Sequence, residues 1–156
     1  MITRRTFVAQ TAGLALAAVG ARRLWGVRVP EPGTAITVYK SASCGCCAKW
    51  VDHLQSNGFA PTVQDEENMD AIKDEMGVPK AVRSCHTALL GRYMVEGHVP
   101  ASDLKRLLKE KPAVAGLAAP GMPAGSPGMA SPGAPPEGFD VLAFTLDGKT
   151  TVFAKH

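Results

Sequence analysis

Residues 35–54 of the chain, AITVYKSASCGCCAKWVDHL, decide the fold. The first five residues are rich in β-formers and predict a short buried strand. The hydroxyl side chains of Ser41 and Ser43 can cap a following helix. From residue 47 onward, apolar residues recur at helical spacing: Cys47, Trp50, Val51 and Leu54. The stretch therefore predicts a strand that leads directly into a helix, with three cysteines at the junction.

Strands and short helices alternate through residue 111. We predict a second strand at residues 60–64, a helix at 69–76, two strands at 85–90 and 93–95, and a helix from 101 or 102 to 111. The resulting order, β-α-β-α-β-β-α, is typical of α/β layering. It predicts a thioredoxin-like three-layer domain over residues 35–111.

The chain after this domain has a different composition. Thirteen of the 27 residues from 112 to 138 are proline or glycine, so this segment is predicted to be a Pro/Gly/Met-rich loop. Within it, Pro-Gly-Met occurs at residues 120–122 and again at 127–129. Residues 139–156 predict a C-terminal hairpin that turns at Asp147-Gly148. Because an isolated hairpin is only marginally stable, we expect it to dock on the domain.

The first 26 residues are typical of an export signal. Arg4 and Arg5 precede Phe7, which resembles the twin-arginine signal. The uncharged stretch that follows has 16 residues, fewer than the roughly 20 that span a membrane. We therefore predict a leader over residues 1–26, a linker over 27–34, and a periplasmic protein that meets the membrane only during export. A retained anchor helix is the alternative.

Length and charge limit the classes of function. The chain has 156 residues, of which 46% are hydrophobic, as expected for one globular domain. Its formal charge of +3 is a weak indication of nucleic acid or anionic lipid. The leader, however, carries four arginines and no acidic residue, so its removal leaves 13 basic and 14 acidic residues. Cleavage after Ala21 would instead leave a charge of +1. The exported chain is nearly neutral, and we expect no nucleic-acid partner.

The four cysteines are the candidate chemical groups. Cys44, Cys46 and Cys47 lie at a predicted helix N-terminus, where free backbone amides stabilise thiolates. Cys44 and Cys47 have the C-x-x-C spacing of thiol–disulfide oxidoreductases, in which the first cysteine attacks and the second resolves. A third thiol beside such a pair favours metal binding instead, and Cys85 can supply a fourth sulfur. Such ligands select Cu(I), zinc or iron–sulfur centres. An ordinary structural disulfide between Cys44 and Cys47 is the alternative.

Two histidines and two methionines are secondary candidates for metal ligands. His86 adjoins Cys85, and His98 lies in a turn before the last predicted helix, where a solvated histidine is the alternative. Met122 and Met129 offer thioethers, which bind Cu(I), although incidental methionines in a linker are the alternative.

The other two histidines are expected to lie outside this site. His53 is about two helical turns from Cys46, or roughly 10 Å, and is expected at the surface. His156 is the terminal residue and is expected to be mobile.

Four motifs together resemble a known family. They are CGCCAKW at residues 44–50, SCHT at 84–87, EGHVP at 96–100, and PGMP with GSPGM between 120 and 129. This set resembles the CopG-type family of periplasmic copper-resistance proteins over roughly residues 35–155. The resemblance implies a thioredoxin-like domain that binds a cysteine-bridged cluster of copper ions through the C-x-C-C cysteines and the cysteine of SCHT.

The sequence thus predicts an exported copper-binding protein that sequesters Cu(I), or handles its redox state, in copper resistance. More than one copper ion is expected, because two adjacent cysteines favour bridging sulfurs. A copper-efflux or copper-handling protein is the candidate partner. The alternative function is a periplasmic thiol–disulfide oxidoreductase that uses Cys44 and Cys47.

Overall fold

The computed structural model describes residues 33–129 and 137–156. The predicted leader at 1–26, most of the predicted linker, and residues 130–136 of the predicted loop lie outside the described residues. Within the described ranges, no helix is both long enough and apolar enough to cross a membrane.

The elements follow one another in a mixed α/β order, so the predicted α/β class is confirmed. In chain order they are β1 (Thr34–Lys40), α1 (Gly45–Ser56), β2 (Phe59–Asp65), α2 (Met69–Glu75), a 3-10 turn (Lys80–Val82), β3 (Thr87–Leu90), β4 (Tyr93–Gly97), α3 (Ala101–Glu110), β5 (Gly116–Ala119), β6 (Asp140–Phe144) and β7 (Thr150–Lys155).

All seven strands form one sheet in the order β2-β1-β3-β4-β5-β6-β7. β1 runs parallel to β2 and antiparallel to β3, and β3 runs antiparallel to β4. β5 runs parallel to β4, whereas β6 and β7 continue antiparallel. As a result, the chain leaves β1, β4 and β5 and enters β3 at the same end of the sheet.

The two faces of the sheet carry separate apolar clusters. One contains Trp50 and Leu54 of α1, Leu104 of α3 and Val95 of β4. The other contains Val78 and Val82, which follow α2, with Met94 of β4. Because successive residues of a strand point to opposite faces, α1 and α3 cover one side and the segment after α2 covers the other.

The expectation that residues 112–138 form only a loop is wrong for Gly116–Ala119, which form β5. The sequence GLAA has no alternation and no β-branched residue, so nothing local predicts a strand. β5 exists because β4 and β6 pair with its two edges, and all four of its residues are buried. Gly116 is required by this close pairing, since a Cβ there would lie 1.9 Å from the Met94 carbonyl oxygen. The C-terminal hairpin joins the sheet through β5.

Candidate metal centre

Three of the cysteines lie where the chain passes from β1 into α1. Cys44 is the N-cap residue of α1, and Cys46 and Cys47 belong to its first turn. The predicted hydroxyl capping of this helix is wrong, because the N-cap residue is Cys44, no side chain of the described residues caps the helix, and the Ser41 and Ser43 hydroxyls lie 3.1 Å from each other. The first turn therefore has unpaired amides beside the sulfur atoms.

The fourth cysteine reaches the other three because of the strand register. Cys85 lies two residues before β3, whose first residue, Thr87, is opposite Tyr39 near the end of β1. The sulfur atoms of Cys44, Cys46, Cys47 and Cys85 all lie within 4.8 Å of one another. Cys44 and Cys47 are joined by a disulfide, and Cys46 and Cys85 are free thiols. All four predicted sulfur ligands are thus brought together.

The two histidines predicted as secondary ligands lie against Cys85. The Cys85 Sγ is 3.1 Å from His98 Nε2 and 3.3 Å from His86 Nδ1. Both imidazoles are fully buried, so the alternative of a solvated turn histidine at His98 is wrong. With Cys47 and Cys85, these histidines form a second group whose ligand atoms lie within 4.8 Å of one another.

Hydrogen bonding determines which histidine nitrogens are free. His98 Nδ1 is 2.7 Å from the Pro127 carbonyl oxygen, which can only accept, so Nδ1 carries the proton and Nε2 presents its lone pair to Cys85. The buried His86 Nε2 has no hydrogen-bond partner in the described part of the chain.

The second Pro-Gly-Met repeat crosses the cysteine turn. Gly128 is so close that a Cβ there would lie 2.9 Å from both the Cys46 carbonyl oxygen and the Trp50 amide nitrogen. Met129 follows directly and is half-buried. Met122, in the first repeat, is 42% exposed. The two predicted methionines therefore have different environments, and the repeat that contains Met129 packs on the site.

Comparison with solved structures identifies the family. Two structures, Form 1 and Form 2 of a copper resistance protein CopG, match the chain with a TM-score of 0.73 each and 43% sequence identity. The matches cover 80% and 81% of this chain and 98% and 99% of the solved chains. The chain belongs to the CopG family. The resemblance predicted from the four motifs is confirmed.

A second family match covers part of this CopG-family chain. Residues 82–129 match DUF411, described as a protein family of unknown function. That range contains Cys85, His86, His98 and both Pro-Gly-Met repeats. No protein with a curated description matches the chain.

Burial controls the protonation of the residues that face Cys85 in this CopG-family protein. Burial, reinforced by the neighbouring Cys46, raises the pKa of Cys85 to about 11. Burial also lowers the pKa of His98, and it lowers that of His86 well below its usual value, helped by His98 and Lys73. At neutral pH the site therefore holds neutral imidazoles and a protonated Cys85 thiol. A metal that binds this sulfur must displace its proton.

A buried charged pair behind the site was not predicted. Lys73 of α2 and Glu96 of β4 are 2% and 0% exposed, and the Lys73 Nζ lies 2.8 Å from the Glu96 Oε2. The only signal in the sequence was the position of Glu96 two residues before His98. Lys73 lies on a short polar helix, where the sequence contains no signal that a lysine is buried.

The two histidines expected outside the site do lie outside it, but both are held by hydrogen bonds. His53 is half-buried, and its Nε2 accepts the Ala101 N–H at 3.1 Å, which caps α3. The expectation that His156 is mobile is wrong. Its Nε2 lies 2.7 Å from the Asp103 Oδ2, and its ring stacks on Phe139 with centroids 4.9 Å apart.

Proposed function

We propose that this CopG-family protein is an exported copper-binding protein that sequesters Cu(I), or handles its redox state, in copper resistance. The observation that carries the proposal is the group of four sulfur atoms, from two segments of the chain, within 4.8 Å of one another. Thiolates select soft metals, of which Cu(I) is one. Sulfur atoms this close together can bridge neighbouring ions, so more than one copper ion is expected.

The ligands we propose are Cys44, Cys46, Cys47 and Cys85, with His86 and His98 beside Cys85. The unpartnered His86 Nε2 and the His98 Nε2 lone pair suit a borderline-to-soft cation. Met129 is a further candidate because its repeat packs on the cysteine turn, and Met122 is a candidate for capture of copper at the surface. All four thiols become available only after the Cys44–Cys47 disulfide is reduced by two electrons.

The test is an anaerobic Cu(I) titration of the fully reduced protein against a competing chelator. We expect more than one equivalent to bind, and Cys46→Ser to lower both stoichiometry and affinity. Ser43→Ala is the matched control, because it removes a nearby exposed hydroxyl and no sulfur. If Cys46→Ser binds copper as the unmodified protein does, the cluster proposal is refuted.

A second candidate function is thiol–disulfide oxidoreduction by Cys44 and Cys47. It is favoured by the disulfide that joins these residues at the start of α1. Here an added dithiol would first reduce the Cys44–Cys47 disulfide; the Cys44 thiolate would then attack a substrate disulfide and release one substrate thiol, and Cys47 would displace the second and become oxidised with Cys44. Insulin reduction by metal-free protein tests it. Turnover that Cys44→Ala abolishes supports this function, and absence of turnover refutes it.

The finer fold assignment and the export route are also proposals. The order β2-β1-β3-β4, with β1 parallel to β2 and the other neighbours antiparallel, supports a thioredoxin-like unit extended by β5, β6 and β7.

Export to the periplasm rests on the twin-arginine-type leader, so changing Arg4 and Arg5 to lysine should retain the precursor in the cytoplasm. A copper-efflux or copper-handling protein is the proposed partner, which copper transfer between purified proteins would test.

A further inference from the structure

A buried network of polar side chains lies at the end of the sheet that carries the candidate metal centre. The Lys73 Nζ donates to the Glu96 Oε2 and to the Thr87 Oγ1, both at 2.8 Å. The Thr87 hydroxyl donates to the other Glu96 oxygen, and Thr87 and Glu96 are opposite each other in the β3–β4 ladder. All three residues are buried. None of them belongs to the proposed ligand set.

One contact of Glu96 leads out of this network toward the metal centre. The Ser84 backbone N–H donates to the Glu96 Oε2 at 2.9 Å. Ser84 precedes Cys85 directly and lies in the segment between the 3-10 turn and β3, outside the strands that the structure describes. The Glu96 carboxylate therefore takes the place of a backbone partner at this point.

The last two residues of β4 and the residue that follows them contact the segment 84–86, which contains Cys85. The Glu96 carboxylate accepts the Ser84 N–H, and the Gly97 N–H donates to the His86 carbonyl oxygen at 3.1 Å. The His98 Nε2 contacts the Cys85 sulfur at 3.1 Å. The fit is tight, since a Cβ on Gly97 would lie 2.3 Å from the Ser84 Oγ.

Glu96 requires Lys73 as its counter-charge. An isolated carboxylate at 0% exposure is strongly unfavourable, whereas a paired and fully hydrogen-bonded one is tolerated. The last turn of α2 supplies that cation, about twelve residues before Cys85 along the chain.

We propose that Glu96 is a positioning residue of the metal centre. Its carboxylate anchors the Ser84 amide, and this anchor holds the Cys85 sulfur against His98, while Lys73 neutralises the buried charge. The link to copper rests on the proposed function. The positioning of Cys85 itself does not.

Two double variants separate the hydrogen bond from the charge. Lys73→Met with Glu96→Gln removes both charges and keeps an amide oxygen that can accept the Ser84 N–H. Lys73→Met with Glu96→Met removes the same charges and leaves no acceptor, with a side chain of similar size. Any difference between the two variants therefore reports the acceptor at position 96.

The readout is the rate of iodoacetamide labelling of Cys85 relative to Cys46 in metal-free protein with the Cys44–Cys47 disulfide intact. Cys46 is the internal control, since it is also a free thiol but lies on α1. Trypsin separates the two, because Cys46 lies between Lys40 and Lys49 and Cys85 between Arg83 and Arg92. We expect the ratio to rise on the order of tenfold in the Met variant, as for loss of a hydrogen bond to a buried acceptor. In the Gln variant it should stay near its original value.

Equal labelling ratios in the two double variants refute the positioning role, and so does faster labelling of both cysteines together, which indicates general destabilisation. If the Met variant does not fold, hydrogen exchange of the Ser84 amide in the unmodified protein decides. Slow exchange supports the anchor, and exchange at the rate of an open loop refutes it.

A Cu(I) titration of the same variants separates the two proposals. We expect weaker copper binding by the Met variant than by the Gln variant. Failure of the unmodified protein to bind copper would refute the proposed function, while the labelling ratios would still decide the role of Glu96.

Discussion

Replacing Gly128 with alanine tests whether the second Pro-Gly-Met repeat is seated on the cysteine turn. Gly128 has a φ of +87°, which L-residues adopt only with strain, and the new Cβ would lie 2.9 Å from two backbone atoms of α1. Neither the Cys46 carbonyl nor the Trp50 amide can move without disturbing the helix. The repeat must therefore shift away from α1.

The matched control is Gly121→Ala in the first repeat. Gly121 has a similar φ of +72°, but a Cβ there would meet no atom of the described residues within 4 Å. The left-handed backbone should cost each variant about 1 kcal/mol. Gly128→Ala carries a further penalty of about 1–3 kcal/mol for overpacking. The difference between the variants corresponds to a fall in Tm of about 4 °C per kcal/mol for a domain of this size.

Urea denaturation monitored by circular dichroism measures the difference in the free energy of unfolding between the two variants directly. A second measurement is proteolysis in the repeat, which should accelerate in Gly128→Ala alone if the loop relieves the clash by detaching. Equal unfolding free energies together with equal proteolysis rates would show that the repeat does not pack on α1. In that case, Met129 would lose its support as a candidate ligand.

Three further predictions follow from the same contacts. Trp50→Phe should destabilise the protein by roughly 2–4 kcal/mol in urea denaturation, because it leaves the buried Val99 carbonyl without its 2.8 Å donor and creates a cavity; a cost below about 1 kcal/mol would contradict this. Gly116→Ala should lower the free energy of unfolding by more than about 3 kcal/mol or prevent folding, because its Cβ would lie 1.9 Å from the Met94 carbonyl oxygen. The control is Gly45→Ala, which should leave the free energy of unfolding nearly unchanged, because its Cβ would meet no atom of the described residues within 4 Å. Burial and, to a smaller extent, the charge of Lys105 lower the pKa of His53 from 6.5. The stability that neutral His53 contributes is therefore complete above pH 6.5 and is lost as the pH falls through the lowered pKa. Urea midpoints between about pH 8 and about pH 5 should therefore fall less steeply in His53→Gln, and parallel curves for the two proteins would exclude this contribution.

The first half of the fold could be predicted because its signals are local. The β-branched run before Lys40 and the helical spacing after Cys47 each depend on residues that are adjacent in the element they form. β5 could not be predicted, because its four small residues become a strand only when β4 and β6 supply hydrogen bonds on both sides. The residues between 112 and 138 therefore resembled a linker throughout.

The candidate site also has one part that local sequence predicts and another part that depends on tertiary contacts. The spacing of Cys44, Cys46 and Cys47 was sufficient to predict that their three sulfur atoms lie together at the start of a helix. The burial of His98 was not predictable, since a histidine between glycine and valine in a turn is equally compatible with solvent. Lys73 was not predictable either, because a lysine becomes an interior residue only when a buried carboxylate such as Glu96 accepts it.

By itself, the sequence determined that three cysteine sulfur atoms meet at a helix N-terminus, because residues within one turn of a helix cannot be far apart. The tertiary structure alone decided what faces them. The antiparallel register of β3 brings Cys85 to the end of β1, and the antiparallel β4 brings His98 to the same end. The unpredicted β5 runs parallel to β4 and leads directly into the Pro-Gly-Met repeats. Those contacts depend on hydrogen bonds between strands far apart in the chain, which local residue patterns do not encode.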